Sequence, residues 1–500
     1  MDTLIRDKIA NRNLLLILIG LSIFRIFYIK YGPLDLSPDE AHYWEWSRRL
    51  DISYYSKGPL VAYFIYVGRL LLGETVLAVR IMAVIFSALS SIYLYKLYTV
   101  MYKDVNKALL VAVIFQIVPL FSTYSVVFTI DTLFVFFWVA SLYYLWLAIG
   151  TVDKYRNWTL LGMFIGLGML AKYTMVFFTG SAFLLLVFKK REILKTFKPY
   201  YALLISIILF SPVIIWNYQH NWLTIKHAAG QAHVHDGLKI SFTSLLDFLG
   251  SQVGVLTPVL AVAMMWALFR LKKIENSLRS DFLIYLSLPT LIFFLLKSVQ
   301  GKVQANWAMA GYITTLIAFV RYYFSIKSQR LVIAASIGLA LFLTIVSHYP
   351  AFLKLKPKID PSSRLRGWSA LGSELDTLYD SMKKEAPVLI FSDKYQVSSE
   401  LAFYMKEHPV TFCINLGRRM NQYDMWPSMN DVVKPLNGQQ INGILVRTGS
   451  DDLPLELFGV FNVCVKRSFN VYEGEYLLRD YSIFMCRGFN GINLPESNKY

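Results

Sequence analysis

Apolar stretches about the length that crosses a bilayer as a helix, roughly 20 residues, recur along the chain from Leu14 to Val346. The pattern predicts eleven spans, centred on 14–30, 77–98, 108–125, 132–149, 158–172, 174–188, 200–216, 249–269, 282–297, 307–326 and 331–347. Between them the polar connections alternate in charge. Arg6, Lys8 and Arg12 precede the first span. Every second connection after it is basic: Lys103 and Lys107; Lys154 and Arg156; Lys189 to Lys198; Arg270, Lys272, Lys273 and Arg279; Arg321, Lys327 and Arg330. Because Lys and Arg collect on the cytoplasmic side of a membrane, the N-terminus is expected inside and the loop 32–75 outside. Leu60 to Leu72 is apolar but short and carries Arg69, so it reads as an amphipathic helix along the interface.

After about His348 the pattern changes. Short runs of strand-forming residues, Val388–Phe391, Val410–Ile414, Ile441–Val446, Phe461–Val465 and Tyr481–Cys486, alternate with turn-forming Asp, Gly, Asn and Pro. The expectation is an α-helical polytopic membrane domain over residues 1–347 and a small α/β domain over 348–500. The odd number of spans puts the second domain outside the cytoplasm. The first span has a basic flank and no small-residue cleavage site before Asp39, and reads as an uncleaved anchor.

Composition agrees with that division. Apolar residues make up 56% of the chain and charged residues only 17%, where soluble domains hold about a quarter charged. The net charge of +17 is accounted for by the cytoplasmic connections, so no nucleic-acid partner is needed to explain it. Cys413, Cys464 and Cys486 all fall in the C-terminal domain, where an oxidising compartment permits one disulfide; the pairing is not legible. The chain has no Walker loop, dinucleotide fingerprint, nucleophile elbow or zinc-protease motif. Any chemistry must therefore draw on a substrate already activated, and a lipid-linked one is the obvious form.

Candidate chemistry sits in the outer connections. In Leu36-Ser37-Pro38-Asp39-Glu40, Ser37 suits an N-cap, Pro38 the first helical turn and Glu40 a capping box. That explains Glu40 better than Asp39, which is also suited to act as a general base or metal ligand. Lys57, in Tyr55-Ser56-Lys57-Gly58-Pro59, either snorkels or meets a phosphate leaving group. Asp131, after Thr129-Ile130, is either a helix cap or a partnered acid at the membrane edge. Lys172, in Ala171-Lys172-Tyr173, compensates a helix C-terminus or serves the same site as the other outward lysines, Lys226, Lys239 and Lys302. Lys302-Val303-Gln304-Ala305-Asn306-Trp307 fits a phosphosugar and equally an interfacial belt. His220, His227, His233 and His235 cluster in one outer loop. They lack the spacing of a closed zinc site, and solvated or aromatic-packed imidazoles are the default.

The string from Ser37 to Trp46 followed by Tyr54-Tyr55-Ser56-Lys57-Gly58-Pro59 resembles the first external loop of bacterial membrane glycosyltransferases of the protein mannosyltransferase superfamily, which includes the lipid A aminoarabinose and galacturonic acid transferases. Thr129-Ile130-Asp131, Leu170-Ala171-Lys172-Tyr173, Ser211-Pro212 with Trp216-Asn217, and Asn306-Trp307 match in order. The resemblance implies a GT-C fold, a polyprenyl-phosphate sugar donor, a lipid, glycan or protein acceptor, and transfer with inversion. It gives Asp39, of the Asp39-Glu40 pair, the role of base or metal-linked acid, Lys57 that of donor-phosphate contact and Asp131 that of second acid. Lys172, Tyr173, Lys302, Asn306 and Trp307 are further binding candidates. Ser56 stands where the aminoarabinose enzymes carry a Glu, a second Pro of theirs is absent after Pro59, and those relatives have thirteen spans. A divalent metal ion is therefore left open. The alternative is a transporter or flippase of lipid-linked sugars, which would place charges mid-span and show repeated halves.

Overall fold

The computed structural model describes residues 2–231, 240–326, 329–349, 356–357, 360–436 and 438–493. His233, His235, Lys239 and Lys327 lie outside them. A long first helix, α1 (Asp2–Tyr31), is followed by two shorter helices, α2 (Pro38–Ser47) and α3 (Leu60–Leu72). The bundle continues with α4 (Val76–Tyr102), α5 (Val105–Ile117), α6 (Pro119–Thr123), α7 (Ile130–Gly150), α8 (Tyr155–Ala171) and α9 (Val176–Lys189). Then come α10 (Lys198–Gln219), α11 (Leu223–Gln231), α12 (Phe242–Leu256), α13 (Pro258–Glu275), α14 (Leu278–Tyr285), α15 (Leu288–Gln300), α16 (Gly311–Arg321) and α17 (Arg330–His348).

Helix starts follow local chemistry. The Thr75 hydroxyl accepts the Ala78 N–H at 3.1 Å, Asp104 accepts Lys107 N–H at 3.1 Å, and Thr129 accepts Asp131 N–H at 3.2 Å; each satisfies a donor that the first turn leaves free.

Among the described residues, six helices are long and apolar enough to span a membrane, or seven if one bent pair is a single span. Several of the eleven stretches expected as spans are interrupted or shortened. The stretch 249–269 is divided between α12 and α13, which meet at 97°: Pro258 lacks an N–H to continue the helix, and Thr257 before it takes a left-handed φ of +76°. Pro119 likewise ends α5 and opens α6 within 108–125. The expected span at 307–326 starts as a 3-10 turn and ends as a π-helical turn. α3, thirteen residues long, reaches only about 20 Å and packs between α2 and α4.

The two ends of the bundle differ. The C-termini of α1 and α17 meet where the Tyr28 hydroxyl donates to the His348 carbonyl at 2.6 Å, so both helices point the same way. At the other end the basic connections converge: Arg321 pairs with Glu275, Asp281 accepts Lys272 at 2.6 Å and Lys189 at 3.4 Å, and Lys198 holds Asp153 at 2.6 Å. The expected alternation of basic and non-basic connections is thus realised in space.

Beyond α17, helices α18 (Trp368–Lys383), α19 (Tyr395–Tyr404) and α20 (Met429–Val433) accompany strands β1 (Val388–Ser392), β2 (Thr411–Cys413), β3 (Asn442–Thr448), β4 (Phe461–Glu473) and β5 (Tyr476–Phe489). They form one sheet in the order β2-β1-β3-β5-β4. The β2, β1 and β3 strands are parallel, and β5 and β4 are antiparallel additions. Trp368, Leu371, Leu375, Ile390 and Ile444 pack on the face covered by α18 and α19; Leu389, Phe391, Leu445, Phe461 and Phe484 pack on the other.

All five runs read as strands are strands, but β4 extends well beyond Val465. Its continuation, Lys466 to Glu473, is mostly exposed edge, and Lys466 and Arg467 interrupt the apolar alternation that Phe469 and Val471 resume. Cys464 and Cys486 are directly opposed in the β4–β5 register and joined by a disulfide, and Cys413 is a buried free thiol. Replacing both bridged cysteines by Ser is expected to destabilise this domain by about 3 kcal/mol, the loop-closure contribution of a bridge across so short a loop; thermal unfolding followed by near-UV circular dichroism, with no change on substitution, would contradict it.

Candidate active site

The site is built from the start of α2. Ser37 caps the helix and Glu40 returns the capping box, but Glu40 does more than that. Its Oε1 accepts Arg80 Nε at 2.9 Å and Phe128 N–H at 2.8 Å, and its Oε2 accepts Arg80 Nη2 at 2.8 Å and Ser37 N–H at 2.9 Å. Arg80, from α4, donates further to the carbonyls of Leu34 at 3.1 Å and Asp35 at 2.7 Å. Both side chains are at most 1% exposed. A buried ion pair holds only when its remaining donors and acceptors are met, and here four donors converge on one carboxylate. Glu40 is thus taken up in joining α2, α4 and the segment before α7.

Asp39, the next residue back, points away from that knot. Tyr395, from α19 of the C-terminal domain, donates its hydroxyl to Asp39 Oδ1 at 3.3 Å. Asp39 is exposed, yet the protein packed around it pushes its carboxyl above the ordinary range. The nearby Lys57 ammonium and the Tyr395 phenol oppose that push, whereas Asp131 and Glu40 add to it. Lys57 is shifted the other way: burial and the Lys172 ammonium lower it, against the raising effect of Asp39 and Asp131. Asp39, Lys57, Asp131 and Lys172 therefore feel one another's charge.

Lys57 is brought there by its neighbour. Gly58 lies so close to the end of α8 that a Cβ would stand 2.0 Å from the Leu170 carbonyl oxygen. That contact presses the Lys57 turn onto the residues that carry Lys172. Lys172 Nζ donates to Asp131 Oδ1 at 2.6 Å, and Asn306 Nδ2 donates to Asp131 Oδ2 at 2.8 Å. The acid at the start of α7 is thus matched by a cation from the α8 end and an amide 175 residues further on.

Of the residues singled out in the sequence, the structure brings Asp39, Lys57, Asp131, Lys172 and Asn306 together. Tyr173 turns its ring onto Phe210 at 5.8 Å, Trp307 lies edge-on to Phe294 at 6.1 Å, and Lys302 is exposed on the turn before Asn306. Trp216 donates its indole N–H to Asp51 Oδ2 at 3.1 Å, and the Asn217 side-chain oxygen accepts Thr224 N–H at 3.2 Å; both steady the outer loop. His220 stacks on Trp216 at 4.1 Å and His227 meets the Tyr55 ring at 4.9 Å, the aromatic packing expected by default. Among the described residues, no three His, Cys, Asp or Glu side chains gather as a metal site.

Arg80 and Tyr395 were not found in the sequence. An arginine inside the apolar start of α4, at an end that should lack positive charge, was a signal for the first. Nothing local marks Tyr395.

The chain is similar to known membrane glycosyltransferases. The family described as dolichyl-phosphate-mannose-protein mannosyltransferase matches residues 56–216. A lipid A galacturonosyltransferase, RgtD, from Rhizobium johnstonii is 28% identical over 354 residues, covering 69% of this chain and 73% of its own. An undecaprenyl phosphate-alpha-4-amino-4-deoxy-L-arabinose arabinosyl transferase from Erwinia tasmaniensis is 31% identical over 172 residues, 30% of this chain and 31% of its own. ArnT from Cupriavidus metallidurans, solved bound to undecaprenyl phosphate, superposes with a TM-score of 0.62 at 12% identity, covering 96% of this chain and 99% of that one. At that identity the likeness is one of fold.

The Asp131 assembly makes a test. Lys172→Met strands a buried carboxylate and is expected to cost about 3–5 kcal/mol, while Lys172→Met with Asp131→Asn recovers most of it. Equal losses in thermal unfolding of the single and double variants would contradict the pairing.

Proposed function

We propose that this chain, a multi-pass membrane glycosyltransferase of the GT-C type, moves one monosaccharide from a polyprenyl-phosphate donor to an acceptor at the outer face of a bacterial inner membrane, with inversion at the anomeric carbon. The observation that carries the reading is the meeting of Asp39, Lys57 and the Asp131–Lys172 pair at one end of the bundle. The Lys- and Arg-rich connections are at the other end. A translocation path would instead need charge mid-span.

In this reaction the acceptor oxygen attacks the anomeric carbon while the bond from that carbon to the phosphate oxygen breaks. The leaving polyprenyl phosphate keeps the electron pair. Lys57 meets the negative charge that grows on it, the electrostatic device such a departure calls for. If the acceptor is a hydroxyl, its proton passes to Asp39, whose upward-shifted carboxyl is a better base than an ordinary one when ionised. If the acceptor is a phosphate oxygen, no proton moves, and Asp39 orients the acceptor or steadies positive charge on the sugar ring. Asp131, fixed by Lys172 and Asn306, is the second acid facing the same space.

Two observations support an outward orientation for residues 32–75 and 348–500. Basic connections at the far end match the cytoplasmic side, and the Cys464–Cys486 disulfide suits an oxidising compartment. The names of the galacturonosyl and arabinosyl transferases to which the chain is similar favour a lipid A acceptor and an undecaprenyl-phosphate carrier. Membrane lipids are its other partner.

Purified Asp39→Asn and Lys57→Ala, assayed for transfer from a radiolabelled polyprenyl-phosphate sugar, test the assignment. Asp39→Asn is expected to lower kcat by ~10²–10⁴-fold if the acceptor is a hydroxyl, and Lys57→Ala to raise KM for the donor and lower kcat. Wild-type rates in both would remove the site. The pH profile has a predicted shape. Asp39 must be ionised, and its pKa is raised, so activity falls on acidification sooner than an ordinary Asp allows. Lys57 must be protonated, and its pKa is lowered, so activity falls on alkalinisation sooner than an ordinary Lys allows. The bell is narrowed from both sides, and a flat profile across both limbs contradicts the roles.

A further inference from the structure

The C-terminal domain is attached to the first outer loop by directional contacts. Leu36 N–H donates to the Tyr404 hydroxyl at 2.6 Å, Trp368 N–H to Asp35 Oδ2 at 2.8 Å, Tyr55 N–H to Gln422 Oε1 at 2.7 Å, and Arg48 Nη2 to the His408 carbonyl at 2.9 Å. One set of contacts continues to the acid itself. Trp46 Nε1, which has only a proton to give, donates to His42 Nε2 at 3.1 Å. His42 therefore carries its proton on Nδ1, which donates to Ser399 Oγ at 3.1 Å. Ser399 in turn donates to the Tyr395 carbonyl at 2.8 Å. The His42 ring lies 4.6 Å from the Tyr395 ring, and the Tyr395 hydroxyl reaches Asp39.

We infer that Tyr395 is a positioning residue for Asp39, held in register by the Trp46–His42–Ser399 relay, so that the C-terminal domain forms one wall of the transfer site. Asp39 and His42 lie one turn apart on α2, and Tyr395 and Ser399 one turn apart on α19. The two helices are thus matched turn for turn: one step carries the relay, the other the phenol on the carboxylate. Burial keeps His42 neutral down to about 3, so the relay keeps one tautomer across the working range. The charged and titratable groups around Asp39 are Lys57 of the loop, Glu40 and Tyr43 of its own helix, Tyr124 from the α6–α7 connection, Asp131 at the start of α7, and Tyr395. Among these, Lys57 and Tyr395 favour the ionised carboxylate, and Tyr395 is the one that fixes its direction as well.

The inference rests on the transferase reading, and the experiment separates the two. The full-length protein is compared with Tyr395→Phe, Ser399→Ala and Tyr404→Phe in pH–rate profiles, and in infrared titration of the Asp39 carboxyl by difference from Asp39→Asn. In Tyr395→Phe the ring contact with His42 remains and the donor is lost. The acid limb and the infrared titration are expected to move up together by about one pH unit, with kcat about tenfold lower on that limb and KM for the donor unchanged. Ser399→Ala moves both in the same direction by less. Tyr404→Phe loosens the domain contact elsewhere and leaves both in place. An unmoved infrared titration in Tyr395→Phe overturns the inference, as does an equal movement in Tyr404→Phe. A wild-type chain with no transfer at any pH, but with the infrared shift intact, overturns the transferase reading alone.

Discussion

The Glu40–Arg80 pair is the constraint from which the rest of the site follows. An apolar bundle can slide or rotate its helices at small cost, because one hydrocarbon contact resembles another. A carboxylate that takes two bonds from one guanidinium and one each from Ser37 and Phe128 N–H has one arrangement. Through it the start of α2, the start of α4 and the segment leading into α7 share a single geometry. Asp39 and Asp131 each lie within a few residues of that knot, so their mutual placement is fixed before any substrate arrives. Such preorganisation is what a transferase needs if its charges are to act without first rearranging.

The second constraint is the membrane. Like-charged or unpaired groups are expensive where water is scarce, and the site answers this by alternating sign: Asp39 near Lys57, Lys57 near Asp131, Asp131 on Lys172. The close approach of Gly58 to the Leu170 carbonyl makes this crowding sterically accessible, since any side chain there would push Lys57 away. The set carries two acids and two cations, and an incoming phosphate shifts that balance most at Lys57, which unlike Lys172 has no direct ion pair among the described residues. The C-terminal domain closes the remaining side through α19, and its disulfide-joined hairpin lies at the far edge of the sheet, away from α2.

Much of this was legible in the chain because it is local. Ser37, Pro38 and Glu40 announce a helix start within four residues, and the capping box is there. The charge of successive connections announces which loops share a face. The five strand cores are short apolar runs between turn formers. What was not legible joins distant parts of the chain: Asn306 to Asp131, Tyr395 to Asp39, Arg80 to Glu40. Local pattern holds no record of such pairs. Glu40 shows both sides, since its capping box is legible beside Asp39 whereas the Arg80 and Phe128 donors that also meet it are not. The broken spans are a different case, because Pro119 and Pro258 stood in plain sight inside stretches whose hydropathy alone was read as continuous. The second half of β4 escapes the pattern because Lys466 and Arg467 interrupt the alternation before Phe469 and Val471 resume it.

A structure of the full-length protein with a polyprenyl phosphate bound tests the central claim most directly. The phosphate is expected in ion-pair contact with Lys57 Nζ, beside Asp39 and on the side of the bundle closed by Tyr395, with the prenyl chain running down the outer helices. Phosphate bound at the opposite end, among Lys189, Lys272 and Arg321, would contradict it.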